Sequence, residues 1–168
     1  MLFRSLWSWI YLFRRQHAKA IKAGERAIEL NPNGAEAHTN LAFILCLSDE
    51  TELAIKLLKR AFRLNPIPLP HYYSFLAMAY RNNGQYEKAI ELSRKGLIGN
   101  PDQLPVYLTL AASYIYLNRT EEAHKAVEEV LRIDPNFSLK YQARTMPYKR
   151  QETGDNFIDA LRKAGLPE

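Results

Sequence analysis

The sequence predicts an all-α protein, a solenoid of helix-turn-helix repeats finished by a C-terminal capping helix. Three observations predict it. A proline returns at a nearly constant interval: Asn31-Pro32, Asn65-Pro66, Asn100-Pro101 and Asp134-Pro135 are 34, 35 and 34 residues apart. Small or aliphatic residues keep fixed places twelve and five positions ahead of each proline: Ala20 and Ala27, Ala54 and Ala61, Ala89 and Gly96, Ala123 and Val130. The chain of 168 residues has room for four such periods, and a solenoid needs about three to bury a continuous core. A fixed period of roughly 34 residues is the signature of stacked helix pairs. It points to binding rather than to catalysis.

The periods divide residues 1–137 into four repeats, 1–34, 35–68, 70–103 and 104–137, with 138–168 left for capping helices and a tail. The first repeat has a regular second helix (Ala20, Ala27, Pro32) but a degenerate first one, with Trp7-Ser8 where later repeats carry Leu41-Ala42, Leu76-Ala77 and Leu110-Ala111. The second repeat sets Ala54, Ala61 and Pro66 in register. In the third, Gly84 closes the first helix, where a left-handed residue is useful. Tyr86 then packs into the turn, Ala89 lets the two helices approach, and Pro101 ends the unit. The fourth repeat carries Ala123 and Pro135 in the same places. Gly24 and Gly96 each weaken a helix by about 1 kcal/mol relative to Ala. Each repeat-ending proline lacks an N–H and disfavours α geometry in the residue before it, so the preceding Asn or Asp marks a boundary. Pro66-Ile67-Pro68-Leu69-Pro70 is a stiff junction expected to alter the angle between the second and third repeats. Beyond Pro135 the pattern predicts a short helix over 137–145, a break at 146–149 and a last helix over 155–164. Asp155 is expected to cap that helix and Gly165 to stop it, with Phe157, Ile158 and Leu161 as its apolar face.

Apolar residues make up 47% of the chain and charged residues 24%, as in ordinary soluble proteins. The net charge of +5 is uneven: residues 1–34 carry +4 and residues 104–137 carry −2. No dense Lys/Arg cluster of the kind that binds nucleic acid is present, so no nucleic acid is expected. The opening MLFRSLWSWIYLFRR has an apolar run far shorter than the ~20 residues that span a bilayer, and no signal-peptide cleavage pattern follows it. The chain is therefore expected to be cytoplasmic. That opening stretch reads either as a repeat helix without its preceding neighbour or as an interfacial anchor on a membrane surface. As an exposed apolar helix it could also drive homo-oligomerisation.

The residues offer no catalytic chemistry, metal site or cofactor site. The seven glycines are scattered and make no phosphate loop. With one cysteine, Cys46, neither an internal disulfide nor a zinc knuckle can form. Cys46 lies between Leu45 and Leu47 and reads as a packing residue. His17, His38, His71 and His124 lie in four different segments. His38 reads as a core or groove residue and His124 as a surface one. Glu121, Glu122, Glu128 and Glu129 read as helix-surface charges paired with Lys125.

Within each period a large residue, a Leu-small pair, a second large residue and the Ala, Ala and Pro positions recur: Tyr73, Leu76-Ala77, Tyr80, Gly84, Tyr86, Ala89 and Pro101 in the third repeat, Tyr107, Leu110-Ala111, Tyr114, Ala123 and Pro135 in the fourth. This pattern resembles the tetratricopeptide repeat. The resemblance implies a right-handed α-solenoid that binds a protein or peptide partner on a concave face lined by the first helix of each pair. It carries that face onto Glu36, Thr39, Phe43, Cys46 and Leu47 in the second repeat, onto His71, Ser74, Met78, Arg81 and Asn82 in the third, and onto Pro105, Leu108, Ala112, Ile115 and Tyr116 in the fourth. Members that hold acidic chaperone tails use a Lys/Arg/Asn cluster at these positions. Here only Arg81 and Asn82 match, so an amphipathic helix or apolar peptide is the expected ligand, unless these side chains pack on one another and close the groove. Residues 145–168, with Pro147-Tyr148-Lys149 and Leu161–Glu168, look like the end of bacterial proteins in which such repeats follow a class III adenylate/guanylate cyclase domain. No cyclase residues are present here. That likeness implies a regulatory scaffold in bacterial signalling, without enzyme activity.

Overall fold

The computed structural model describes residues 2–168, with side chains from Leu6 onward. The described residues form ten helices: α1 (Leu2–Phe13), α2 (His17–Leu30), α3 (Ala35–Leu47), α4 (Thr51–Leu64), α5 (Pro70–Asn82), α6 (Tyr86–Gly99), α7 (Leu104–Tyr116), α8 (Thr120–Ile133), α9 (Leu139–Thr145) and α10 (Gln151–Lys163). The first eight pack as successive antiparallel pairs. Helices α1, α3, α5 and α7 also touch one another in sequence and form an inner layer. This is the all-α solenoid that the period predicts.

Two local devices repeat with the period. Before each proline, α2, α4, α6 and α8 end with Asn31, Asn65, Asn100 and Asp134 at their C-caps. The side chains of Asn65, Asn100 and Asp134 accept from the backbone N–H two residues on, at 3.3, 3.2 and 3.1 Å. The Asx turn explains why Asn or Asp precedes the proline: its oxygen replaces the helical partner that the break removes. The second device is the turn inside each pair. Arg15, Asp49, Gly84 and Asn118 hold equivalent places with φ of 56°, 63°, 71° and 58°. Only one of the four is glycine. A non-glycine residue in this left-handed region costs about 1 kcal/mol.

Burial explains the small residues. Ala20, Ala54, Ala61, Ala89 and Ala123 are fully buried, whereas Ala27 is half-buried. Gly24 is more than a weak helix residue: a Cβ there would stand 2.8 Å from Leu41 Cδ1. Its absence lets α2 lie against α3, which offsets the propensity cost. On α8, Glu122 and Glu129 pair with Arg119 and Arg132 at 2.5 and 2.8 Å rather than with Lys125, and Arg132 also reaches Asp102 at 2.7 Å.

The C-terminal region departs from the sequence expectation. Helix α9 starts at Leu139, capped by Ser138, whose Oγ accepts from the Tyr141 N–H. Helix α10 starts four residues earlier than predicted, at Gln151, with Arg150 at its N-cap. Asp155 is therefore not a cap; it sits inside the helix and accepts from Gln151 Nε2 at 2.8 Å. The reason is contact: Tyr148 and Thr153 are held by the inner layer, and this orders the preceding turn. Helix α10 packs on α7 and α9. The buried Leu139, Phe157, Ile158 and Leu161 share one apolar cluster with Leu12, Leu47 and Val106. The tail thus covers the last repeat and also ties it to the first two.

Candidate functional site: the concave face

The inner layer presents one residue set from each repeat, and the structure sorts it into two parts. Nearer the start, the rings of Trp9 on α1, Phe43 on α3 and Phe75 on α5 form a ladder, with centroids 4.6 Å apart for Trp9–Phe43 and 4.7 Å for Phe43–Phe75. His71 meets Phe75 edge-on at 5.7 Å. Glu36 accepts from Tyr72 Oη at 3.0 Å and lies 3.3 Å from His71 Nε2. All three ladder rings are partly exposed.

The rest of the face is occupied by the chain's own tail. Of the predicted groove residues, Cys46, Leu47, Met78, Arg81, Leu108 and Ala112 are buried, Phe43, Asn82 and Ile115 half-buried, and Tyr116 exposed. The segment between α9 and α10 crosses them. Arg15 donates to the carbonyls of Arg144, Met146 and Tyr148 at 3.4, 3.3 and 3.3 Å. The Lys149 N–H donates to the Leu47 carbonyl at the end of α3, at 2.8 Å. Arg81 is 5% exposed; it donates to Tyr148 Oη at 3.0 Å and lies 3.7 Å from the centre of the Phe157 ring. Thr153 donates to Asp49 at 2.8 Å, and Tyr116 Oη donates to the Asn156 carbonyl at 2.9 Å. Asn82 donates to the Cys46 carbonyl at 3.1 Å and accepts from Arg81. Arg81 and Asn82 are thus committed to interior partners.

This part of the site is electrostatically quiet. Burial pushes the Cys46 thiol up to about 12, so almost no thiolate exists at neutral pH. Cys46 in the native protein is expected to label with an aromatic disulfide reagent at least ~100-fold more slowly than in urea; labelling at the rate of the unfolded chain would contradict its burial. His17 is buried, with Nδ1 2.8 Å from Ser48 Oγ. Burial and then the charges of Lys149 and Arg15 lower its pKa below 6.5, against an opposing pull from Asp49. Below about pH 6.5 the unfolded chain takes up a proton that the folded chain resists, so His17 costs stability as pH falls through that value. Thermal unfolding should show a lower Tm at pH 5.5 than at 7.5, with a smaller difference in His17→Gln. An equal difference in both proteins would assign the effect elsewhere.

Several site residues escaped the sequence reading. Trp9 falls in the opening stretch read as a repeat helix or interfacial anchor, and Phe75 is not among the expected groove positions. Arg15 and Asp49 lie outside the groove pattern, and Tyr148 and Phe157 lie in the tail. The proline period could have found Arg15 and Asp49, since both align with Gly84. Among the described residues, no group of three or more His, Cys, Asp or Glu could hold a metal ion, and no helix is long and apolar enough to cross a membrane.

Stacked helix pairs with an aromatic-lined inner face define a repeat scaffold. Family models of the tetratricopeptide repeat match residues 23–56 and 80–144, together more than half of the chain, and the chain belongs to that family. The TPR repeat-containing protein YpiA of Bacillus subtilis is 25% identical over 144 residues, covering 86% of this chain and 34% of YpiA. This chain thus spans about a third of that relative's length. The structure of PilF from Pseudomonas aeruginosa superposes with a TM-score of 0.71 at 19% identity, covering 98% of this chain and 76% of PilF. YrrB, described as a TPR protein with an unusual peptide-binding site, superposes with a TM-score of 0.61 at 15% identity, covering 96% of this chain and 82% of YrrB. Proteins of this family generally mediate protein–protein interactions.

Proposed function

We propose that this chain is a non-enzymatic interaction scaffold that holds a peptide or helix on its concave face. The observation that carries the reading is the aromatic ladder of Trp9, Phe43 and Phe75. It presents partly exposed rings from three consecutive first helices, and such a surface favours an apolar or amphipathic segment. Further along the face, under the tail, Cys46, Leu47, Met78, Arg81, Leu108 and Ala112 are buried, with Asn82 and Ile115 half-buried and Tyr116 exposed. The peptide-binding site named for YrrB supports the reading by analogy of fold. A regulatory role in bacterial signalling is carried only by the likeness of residues 145–168 to cyclase-linked repeats; the relatives add the repeat and nothing of the cyclase.

The test is a photo-crosslinking amino acid placed at position 43 or 75, with exposed Lys59 on α4 as the control position. Crosslinking of the same protein from native lysate at 43 and 75, and not at 59, is expected. Equal capture at all three positions, or none at 43 and 75, would overturn the reading.

A second reading has its own observation. Leu6, Trp7 and Phe13 on α1 are 57%, 51% and 56% exposed, in the part of the chain that carries +4. This is the chemistry of a membrane-surface helix or of a self-association face. Flotation with anionic vesicles, compared with Trp7→Ser, and sedimentation equilibrium separate the two. Absence of both lipid binding and dimers would remove this reading.

A further inference from the structure

The chain's own tail lies across part of the concave face. Most of the contacts that seat it read main chain rather than sequence: one guanidinium, Arg15, serves three carbonyls, and the Leu47 carbonyl takes the Lys149 N–H. Side chains enter where Tyr148 and Phe157 meet Arg81 and where Thr153 donates to Asp49. The main-chain contacts fall mostly on residues 146–149, between α9 and α10, and the second aromatic anchor, Phe157, stands on α10, so the face accepts a non-helical stretch that runs into a helix. The turn residues support this. At the left-handed position Gly84 is free of strain, whereas Arg15 and Asp49 hold the same conformation with side chains that fasten the tail. Glycine would serve the turn better, so their chemistry serves the capture.

The captured segment is also the weak half of its helix. The first half of helix α10 carries Thr153 and Gly154, residues that lower helix stability. Its other half is welded to the last repeat through the fully buried Leu161 and Ala164. Residues 144–157 are therefore a strap held at one end by the cap and along its length by the groove.

We propose that residues 144–157 are the groove's resident ligand in cis, and that the partner is a segment of the same chemistry: a non-helical Pro-Tyr stretch leading into a helix whose first turns carry an aromatic residue, that displaces the strap. The proposal rests on the scaffold reading above and adds the partner's chemistry and the contact that excludes it.

The probe is a fluorescein-labelled synthetic peptide of residues 143–168, titrated against full-length protein and followed by anisotropy. The tethered strap competes at an effective concentration in the millimolar range, so binding to the wild type is weak. Tyr148→Ala loosens the strap and leaves the groove intact, and it should bind the peptide at least ~10-fold more tightly. Adding Arg15→Gly and Asp49→Gly, which suit the turn but remove the fasteners, should abolish that gain while leaving the far-UV spectrum unchanged. If Tyr148→Ala does not fold, Tyr148→Phe, which removes only the hydroxyl that accepts from Arg81, should bind about 3-fold more tightly than the wild type. A dimer of the loosened variant would identify a second copy as one source of the segment and would support the exchange. Peptide binding no tighter than to the wild type in a folded Tyr148 variant would overturn the proposal, as would a gain that survives Arg15→Gly/Asp49→Gly. In that event, position-specific crosslinking at 43 and 75 would show the scaffold reading still standing with the strap as permanent structure; loss of the crosslinks would remove both.

Discussion

Phe157→Ala should lower the unfolding free energy by about 3–5 kcal/mol, the usual cost of truncating a buried phenylalanine. Phe157 is 6% exposed and faces Tyr148 at 6.3 Å and the Arg81 guanidinium at 3.7 Å. The substitution removes apolar area from the cluster that joins the first, second and fourth repeats through the tail. It also leaves the face of a buried cation without its ring. For a chain of this size the loss corresponds to a Tm about 6–20 °C lower. Differential scanning calorimetry and urea titration measure it. A loss under about 1 kcal/mol would mean that α10 is loosely held.

Arg81→Ala should cost about 3 kcal/mol. The guanidinium is buried, stands over Phe157, and supplies the donors received by Tyr148 Oη and Asn82 Oδ1. Its removal leaves two polar oxygens underserved, at about 1 kcal/mol or more each, and forfeits a desolvated cation–π contact of about 2 kcal/mol. It also removes a buried charge, which returns part of the loss. Because Arg81 and Phe157 touch, the two substitutions should not add: the double variant should be more stable than the sum of the singles implies, by about 1–2 kcal/mol. Strict additivity would show that the contact carries no energy of its own.

The repeat period made the solenoid and its pair boundaries legible because proline and alanine at those places answer to backbone geometry alone. The Pro32, Pro66, Pro101 and Pro135 breaks and the buried Ala54, Ala61, Ala89 and Ala123 follow from a missing N–H and from helix separation, and both are local. The candidate site was legible only in outline. The groove positions are set by helical phase, so Phe43 and Met78 could be placed on the inner face. What covers them could not be read, because the contact between Arg81 and Tyr148 spans 67 residues of sequence and has no period. The predicted start of α10 failed for the same reason. Asp155 is a good local cap, but tertiary contacts of Tyr148 and Thr153 extend the helix past it. Gly24 reads as a defect until the neighbouring Leu41 is seen.

The four equivalent turn positions amount to an alphabet. Position 15, 49, 84 or 118 is spelled Arg, Asp, Gly or Asn in successive repeats, and the same backbone tolerates each letter. A cation, an anion, a blank and an amide thus occupy one backbone place, and the cation and the anion, Arg15 and Asp49, also hold the tail. The turn that joins each helix pair is therefore also a place from which the array can reach a distant segment of its own chain, as positions 15 and 49 do.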